Sequence, residues 1–273
     1  MRTIPREKMT QLCEAFDGDI SVYATVTETG EVFAYNEAHQ LHAASTIKAP
    51  LLACLLKRAE AGEVDLTKKA QTAPENYNGG SGLLQSFDRD LEMSLFDKAV
   101  LMIVVSDNTA TNEVIDAVGK DYFNEQMAAL GFHETMLGKK LGNHPGVYNR
   151  TSARDLGRMM VMALRGELFS PWVSRQFLQI LAGQSLRNFA ALIPAVDFKY
   201  PHKELPEVPE GCVLVASKSG GLRDRGISHD NAAFFLPDGR TYTLAVTTQS
   251  KDVVAARMCQ AELARAMYEA MKE

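Results

Sequence analysis

Strand-like segments occur only near the two ends of this chain, and the residues between them follow helical or loop patterns. Alternating runs stand at 20–26 and 31–35, and three more come late, at 212–216, 231–236 and 241–248. Such runs are typical of strands, because successive side chains point to opposite faces of a sheet. Segments at both ends most simply share one sheet. We therefore predict an α/β (α+β) fold, in which a five-stranded antiparallel sheet carries an inserted all-helical lobe.

Two helical patterns at the ends of the chain are expected to flank that sheet, at about 4–16 and 252–271. Residues 99–105 are apolar on all sides, which is typical of a helix at the centre of an all-helical lobe. Ser94 and Ser170 stand where helix-capping residues are expected. The other predicted helices are 45–62, 109–118, 122–130, 151–164, one from 170 onwards, and 185–193.

These elements predict one domain over residues 1–273. Its α/β lobe would comprise about 1–44 and 206–273, and its helical lobe about 45–205. Neither internal repeats nor low-complexity segments interrupt the chain.

Composition excludes several classes of function. The chain is 46% hydrophobic and 23% charged, which is ordinary for a globular protein. A net charge of −5 argues against a nucleic-acid or anionic-membrane partner. No apolar run is long enough to span a bilayer, and the N-terminus lacks the apolar core of a secretory signal. We expect a cytoplasmic protein, or an exported one whose leader was removed. Its oligomeric state is open.

The cysteines and histidines show no metal-ligand spacing, so we expect neither a metal nor a cofactor. Free thiols are predicted at all four cysteines. Cys13 and Cys259 fall on the two terminal helices and are the one pair that could meet; the other two are Cys54 and Cys212.

Ser45 and Lys48 stand at the start of a predicted helix whose leucines at 51–56 form one apolar face. A helix N-terminus favours negative charge, and Lys48 is close enough along the helix to bond the Ser45 hydroxyl. A serine becomes a nucleophile when a neighbouring base, such as a desolvated lysine, takes its proton. The alternative is a serine cap followed by a solvated lysine. Ser-x-x-Lys alone occurs about once by chance in a chain this long.

Two further motifs decide between these interpretations. A Ser-Asp-Asn triplet occupies 106–108 between helices, and a Lys-Ser-Gly triplet occupies 218–220 at a strand end. Separately, the first could be a helix cap and the second a polar strand end. At average composition, a chain of this length should contain about 0.04 copies of the first triplet and about 0.1 copies of the second by chance. Both should therefore occur together in about one chain in two hundred. The three motifs together predict a catalytic site.

With these motifs in this order, the chain resembles the penicillin-recognising serine hydrolases, most closely the class A β-lactamase branch. The resemblance covers nearly the whole chain, since that fold also has an α/β lobe with an inserted helical lobe. It implies a serine hydrolase that forms an acyl-enzyme on a small ester, amide or β-lactam. A β-lactamase of this kind could confer antibiotic resistance. The implied partner is a small molecule with a carbonyl and a carboxylate.

The resemblance also implies catalytic roles. Ser45 would be the nucleophile and Lys48 its proton partner. Ser106 would relay a proton to the leaving nitrogen or oxygen. Lys218 would supply positive potential for Ser106 and for a substrate carboxylate.

Substrate binding would fall to residues beside these four. Asn108 would bond a substrate amide and hold Lys48, and Ser219, where the family often has threonine, would bond the carboxylate. Gly220 and Gly221 would line the site, and the backbone N–H groups of Ser45 and Gly221 would form the oxyanion hole. The arginines at 223 and 225 could help to recognise a substrate carboxylate, or they could lie in a solvated turn. We favour the solvated turn.

One part of the resemblance is missing. Class A β-lactamases carry a loop glutamate that activates the water for deacylation. The corresponding residues 138–150 contain no Asp or Glu and look several residues short. His144 is the one loop residue with an ordinary pKa near neutral, so it could be the deacylation base or simply a surface histidine. Glu134 lies just upstream, and nothing in the sequence places it over Ser45.

The missing glutamate keeps several functions open. Weak β-lactam turnover is expected of a hydrolase. A poorly deacylating, penicillin-binding sensor or scavenger is the first alternative, and a D-Ala-D-Ala peptidase-like enzyme is the second. An interaction domain that retains the motifs as relics is the third.

Overall fold

The structure is a computed structural model that describes residues 2–142 and 147–272. The strands in this part of the chain are β1 (Asp19–Val26), β2 (Val32–Tyr35), β3 (Leu41–His42), β4 (Lys69–Ala70), β5 (Met93–Ser94), β6 (Arg150–Thr151), β7 (Leu214–Ser217), β8 (Gly220–Leu222), β9 (Ile227–Phe235) and β10 (Thr241–Gln249). The helices are α1 (Arg6–Glu14), α2 (Lys48–Glu60), α3 (Leu95–Val104), α4 (Asn108–Val118), α5 (Lys120–Ala129), α6 (Ala153–Leu164), α7 (Pro171–Ala182) and α8 (Val253–Lys272).

The main sheet is antiparallel and joins the two ends of the chain, as predicted. Its order is β2-β1-β10-β9-β7, and β8 also pairs with β9. Strand β7 pairs with residues 232–235 of β9, and β8 pairs with 227–229. Both therefore lie along one edge of β9, so the sheet has five strand positions and a broken edge strand. Lys218 and Ser219 occupy that break.

Two apolar cores lie on either side of the sheet. One packs α1 and α8 against it and includes Met9, Val22 and Leu263. The other surrounds α2, whose residues 48–56 are all buried. Helix α6 presses on the sheet through Gly157, where an added Cβ would come within 2.5 Å of the Tyr23 ring. The predicted lobe boundaries stay a prediction.

The prediction that α3 is the central helix was wrong. Helix α2 has that position, while α3 buries one face through Lys98, Ala99, Met102 and Ile103. The C-terminal end of α3 meets loops: the oxygen of Val104 accepts from Ser185, and that of Val105 accepts from Ser81. Two polar loops, which contain Ser81 and Ser185, therefore cover the apolar C-terminal end of α3, next to Ser106.

Several smaller features complete the comparison. Ser94 and Ser170 accept N–H bonds at the starts of α3 and α7, which confirms both predicted caps. The helix predicted at 185–193 is only a 3₁₀ turn, Phe189–Leu192. The ladders β3–β6 and β4–β5 were not predicted. No helix in the described ranges is long and apolar enough to cross a bilayer.

Candidate active site

Ser45 lies in a 3₁₀ turn, Ala44–Ile47, that leads directly into α2. The N–H and hydroxyl groups of Thr46 both donate to the Ala43 oxygen, at 3.1 and 2.6 Å, and tighten this turn. Ala44 has a φ of +46°, a conformation that residues other than glycine adopt only at a cost of about 1–3 kcal/mol. The half-buried Ser45 therefore follows a strained residue at a helix N-terminus.

Lys48 is fully buried, and its amine contacts Asn108, as predicted, and Ser106. Its Nζ lies 2.7 Å from the backbone oxygen of Ser106, 3.0 Å from Ser106 Oγ and 2.8 Å from Asn108 Oδ1. The bond to the Ser45 hydroxyl that we expected is not among the hydrogen bonds between described residues. Burial lowers the pKa of Lys48 well below its usual value, and the charge of Lys218 lowers this pKa further.

A neutral Lys48 has only one consistent hydrogen-bonding arrangement. Its amine has two N–H donors and one lone pair. The Ser106 carbonyl can only accept, and so can Asn108 Oδ1, whose orientation is fixed because Nδ2 donates to the Gly79 oxygen at 3.0 Å. The lone pair of a neutral amine would then face the Ser106 hydroxyl, whereas a protonated amine donates to Ser106 Oγ. The 3.0 Å contact therefore allows a proton to pass between Lys48 and Ser106.

The Ser-Asp-Asn triplet has two separate roles. Asp107 caps α4 by accepting the Ala110 N–H at 2.8 Å, and it also accepts two N–H groups from the loop at 83–84. The helix-cap interpretation is therefore right for Asp107. Ser106 has a φ of +56°, and the Asn108 N–H donates to the Ser81 oxygen at 2.9 Å. This backbone conformation and this hydrogen bond place Ser106 and Asn108, the residues on either side of Asp107, next to Lys48.

Lys218 is fully buried in the break between β7 and β8, and its Nζ donates to the Ser219 oxygen at 2.8 Å. Burial lowers the pKa of Lys218 to about 7, against the opposing effect of the Asp230 carboxylate. The Ser219 hydroxyl donates to the Leu186 oxygen at 2.6 Å and accepts from Gln184 at 2.8 Å. Its predicted bond to a substrate carboxylate stays a prediction, because that proton would first have to leave Leu186.

Strand β8 comes close enough to the nucleophile to require glycine. A Cβ at Gly220 would lie 2.7 Å from the backbone nitrogens of Ser45 and Thr46. Gly221 follows on the same strand, opposite Ser228 of β9. The backbone of β8 therefore faces the N–H side of the Ser45 turn, where the predicted oxyanion hole lies.

This close approach predicts a large effect of a single methyl group. Gly220→Ala should slow acylation of Ser45 by about 100-fold or more, because it displaces an oxyanion donor. It should also destabilise the fold by about 1–3 kcal/mol through overpacking. Gly79→Ala is the matched control, since its Cβ would meet only the flexible Gln85 side chain, at 3.7 Å. Labelling rates and melting temperatures of both variants check the prediction, and equal rates would contradict it.

The described parts of the 138–150 loop bring no carboxylate to Ser45. Leu141 exchanges two hydrogen bonds with Asn112 of α4, which hold the loop against that helix. Glu134 is engaged elsewhere: it accepts from Arg154 at 2.6 Å, and its N–H donates to Asp155. The predicted candidate base His144 lies outside the described residues.

Sequence reasoning missed His42, which bonds the residue before the nucleophile, and Tyr148, which contacts the His42 ring. Their ring centroids lie 5.3 Å apart. The guanidinium of Arg225 lies 4.5 Å from the Tyr148 ring centroid and donates to its hydroxyl at 3.3 Å. Arg225 is thus exposed but bound to the loop, whereas Arg223 remains in an exposed turn. The position of His42, three residues before Ser45, was the only signal available.

Metal chemistry has no visible support in the described ranges. No cluster of three or more His, Cys, Asp or Glu side chains there could hold a metal ion. The site described above consists of two buried amines, three hydroxyls, one amide and backbone N–H groups. These are the groups that proton transfer and anion stabilisation require.

Comparison with known proteins places this site in a family context. The model of the beta-lactamase enzyme family matches residues 4–271. Beta-lactamase SME-1 of Serratia marcescens is 27% identical over 133 residues, which are 48% of this chain and 45% of that protein. An imipenem-hydrolysing β-lactamase of Enterobacter cloacae is 27% identical over 124 residues, 45% of this chain and 42% of that protein. The match thus spans just under half of either relative.

Solved structures match over almost the whole chain. A β-lactamase from Sphaerobacter thermophilus superimposes with a TM-score of 0.84 at 28% identity, and 98% of each chain is covered. The protein PBP-A superimposes with a TM-score of 0.79 at 23% identity, again over 98% of both chains. A PBP-A mutant that matches with a TM-score of 0.80 was solved as an acyl-enzyme complex with penicillin G. These matches confirm the predicted fold.

Proposed function

The chain belongs to the beta-lactamase enzyme family, and we propose on that premise that it is a serine hydrolase. It forms an acyl-enzyme through Ser45 on a small ester, amide or β-lactam. One observation carries the proposal: the buried amine of Lys48, next to Ser45 in the chain, binds Ser106 and Asn108 from a distant motif. Burial lowers the pKa of this amine, which favours its role as the base that a serine nucleophile needs.

Acylation begins when the Ser45 hydroxyl loses its proton and its oxygen bonds to the substrate carbonyl carbon. The proton passes to the neutral amine of Lys48. The carbonyl π electrons move to oxygen, and the resulting anion is held by the N–H groups of Ser45 and Gly221. The described geometry favours this arrangement, because β8 passes directly beside the N–H side of the Ser45 turn.

Collapse of this intermediate breaks the bond between the carbonyl carbon and the leaving nitrogen or oxygen. The leaving atom takes the Ser106 hydroxyl proton, and Ser106 recovers a proton from the protonated Lys48. The 3.0 Å contact between Lys48 Nζ and Ser106 Oγ supports this relay. Lys218, whose charge affects the pKa of Lys48, favours anionic states of Ser106 and of a substrate carboxylate.

Covalent labelling tests the proposal. A fluorophosphonate or a penicillin should add its mass to the wild-type protein, and peptide mapping should place the adduct on Ser45. Ser45→Ala should remain unlabelled while keeping the wild-type melting temperature, because Ser45 is only half-buried. Equal labelling of both proteins would refute a Ser45 nucleophile.

A second candidate function is a penicillin-binding protein that deacylates poorly. The position of Glu134, the carboxylate just upstream of the loop, favours it, because this side chain is paired with Arg154 and its N–H donates to Asp155. A D-Ala-D-Ala peptidase-like enzyme would use the same acylation machinery on a peptide. Release of more product than one equivalent per protein would exclude the binding protein, and release of D-alanine would identify the peptidase.

A further inference from the structure

His42 contacts the strained residue that precedes the nucleophile. The N–H of Ala44 donates to His42 Nδ1 at 3.0 Å. Because Nδ1 accepts this bond, the neutral ring carries its proton on Nε2. The bond spans only two residues and closes a small ring around Ala43, immediately before Ser45. It therefore restrains the φ of Ala44, the residue whose conformation directs the Ser45 N–H.

The backbone of His42 is fixed as well. Its carbonyl oxygen accepts from Nε2 of the fully buried His229 at 2.9 Å. The other ring nitrogen of His229 lies 2.8 Å from the Ser228 oxygen and 3.1 Å from the backbone nitrogen of Thr248. Strands β9 and β10 thus hold the peptide after His42 through one buried histidine. The Ser45 turn follows this anchored peptide. The N–H of Ala43 donates to the Asn149 oxygen at 2.8 Å, and the next N–H, that of Ala44, donates to the His42 ring.

We propose that His42 is a positioning residue for the nucleophile. By accepting the Ala44 N–H, it holds Ala44 in the left-handed conformation and aims the Ser45 N–H at the side of the turn that faces β8. Gly220 marks that side, since its Cβ would meet the Ser45 nitrogen. This inference rests on the proposed function, in which that N–H binds the substrate oxyanion.

Charged groups surround His42 on several elements. Tyr148 faces the ring, and Arg150 is its cross-strand neighbour on β6. Burial lowers the pKa of His42 to about 4, and electrostatic interactions with Arg225, His229 and Lys139 contribute to this lowering. A protonated ring has no lone pair for the Ala44 N–H, so the positioning should be lost as the pH falls through about 4.

The lowered pKa of His42 also determines how its contribution to folding stability changes with pH. An unfolded histidine has a pKa near 6.5. Between pH 6.5 and about 4, the unfolded chain binds a proton at His42 that the folded protein does not. The contribution of His42 to stability therefore decreases as the pH falls through this window.

Two variants separate the acceptor from the ring. His42→Asn keeps an acceptor, because Asn Oδ1 occupies the place of Nδ1 and commonly bonds the N–H two residues on. His42→Phe keeps the aromatic ring beside Tyr148 but has no acceptor. We expect fluorophosphonate labelling of Ser45 to slow by about 10- to 100-fold in His42→Phe, as for a weakened oxyanion donor. His42→Asn should label at close to the wild-type rate.

Each outcome decides the matter. Wild-type labelling rates in His42→Phe would overturn the proposal, and so would a His42→Asn as slow as His42→Phe. If His42→Phe does not fold, the pH profile decides: the wild-type labelling rate should fall relative to His42→Asn as the pH approaches about 4, with both proteins folded by fluorescence. Parallel profiles would overturn the positioning role. A wild-type protein that is never labelled would instead refute the proposed function.

Discussion

Replacing Lys48 with methionine should slow acylation of Ser45 by about 10²–10⁴-fold, the usual contribution of a positioned general base. Methionine has a similar length and no basic atom, so neither Ser45 nor Ser106 would have a group to take its proton. The variant should still fold. It leaves the Ser106 carbonyl and Asn108 Oδ1 without their donor, at about 1–3 kcal/mol each, but it also removes a buried amine that must be desolvated.

Lys57→Met provides the matched control. Lys57 lies on the same helix, where its amine bonds Gln126 and lies 4.5 Å from the Phe169 ring centroid, away from the Ser45 turn. Removing it takes an amine from the same helix without touching Ser106 or Asn108. Single-turnover labelling should separate the two variants. Lys48→Met labelled as fast as Lys57→Met would mean that another group accepts the Ser45 proton.

The sheet could be predicted from the sequence because its strands carry a clear period of two. Strand β10, predicted at 241–248, runs from Thr241 to Gln249. The ladder of β3 with β6 escaped prediction because two-residue strands have no measurable period. Helix α3 was misplaced for a related reason: an all-round apolar surface shows that a helix is covered, but not whether helices or loops cover it.

The identities of the site residues could be predicted from the sequence, but their contacts with one another could not. The motifs indicated Lys48 and Ser106, yet the direct bond expected between Lys48 and Ser45 is replaced by bonds to Ser106 and Asn108. Which of these residues Lys48 contacts depends on the conformation of the turn after α3. No repeating sequence pattern predicts that conformation. The inward bond from Ser219 to the Leu186 oxygen likewise depends on a loop 33 residues away.

Penicillin should leave the wild-type protein as an acyl adduct that survives long enough for intact-mass detection. Acylation has the groups that it needs in Ser45, Lys48 and Ser106. Deacylation needs a base that holds a water against the ester, and the described loop residues include no carboxylate. Just upstream, the carboxylate of Glu134 is bound by Arg154. Loss of a positioned base slows a step by about 10²–10⁴-fold. Steady-state β-lactam turnover should therefore be weak, and esters with small acyl groups should turn over faster, since they leave the water's approach open.

His144→Ala tests the one loop residue that could replace this base. If His144 activates the water, the variant should acylate at the wild-type rate but keep its adduct longer. Wild-type hydrolysis should then fall below about pH 6.5, where a histidine gains its proton. If His144 is a surface residue, both adducts should decay equally slowly. Rapid penicillin turnover without an accumulated adduct, unchanged in His144→Ala, would contradict the prediction. It would require another base, and Glu134→Gln would then test whether that carboxylate leaves Arg154 to act on the ester.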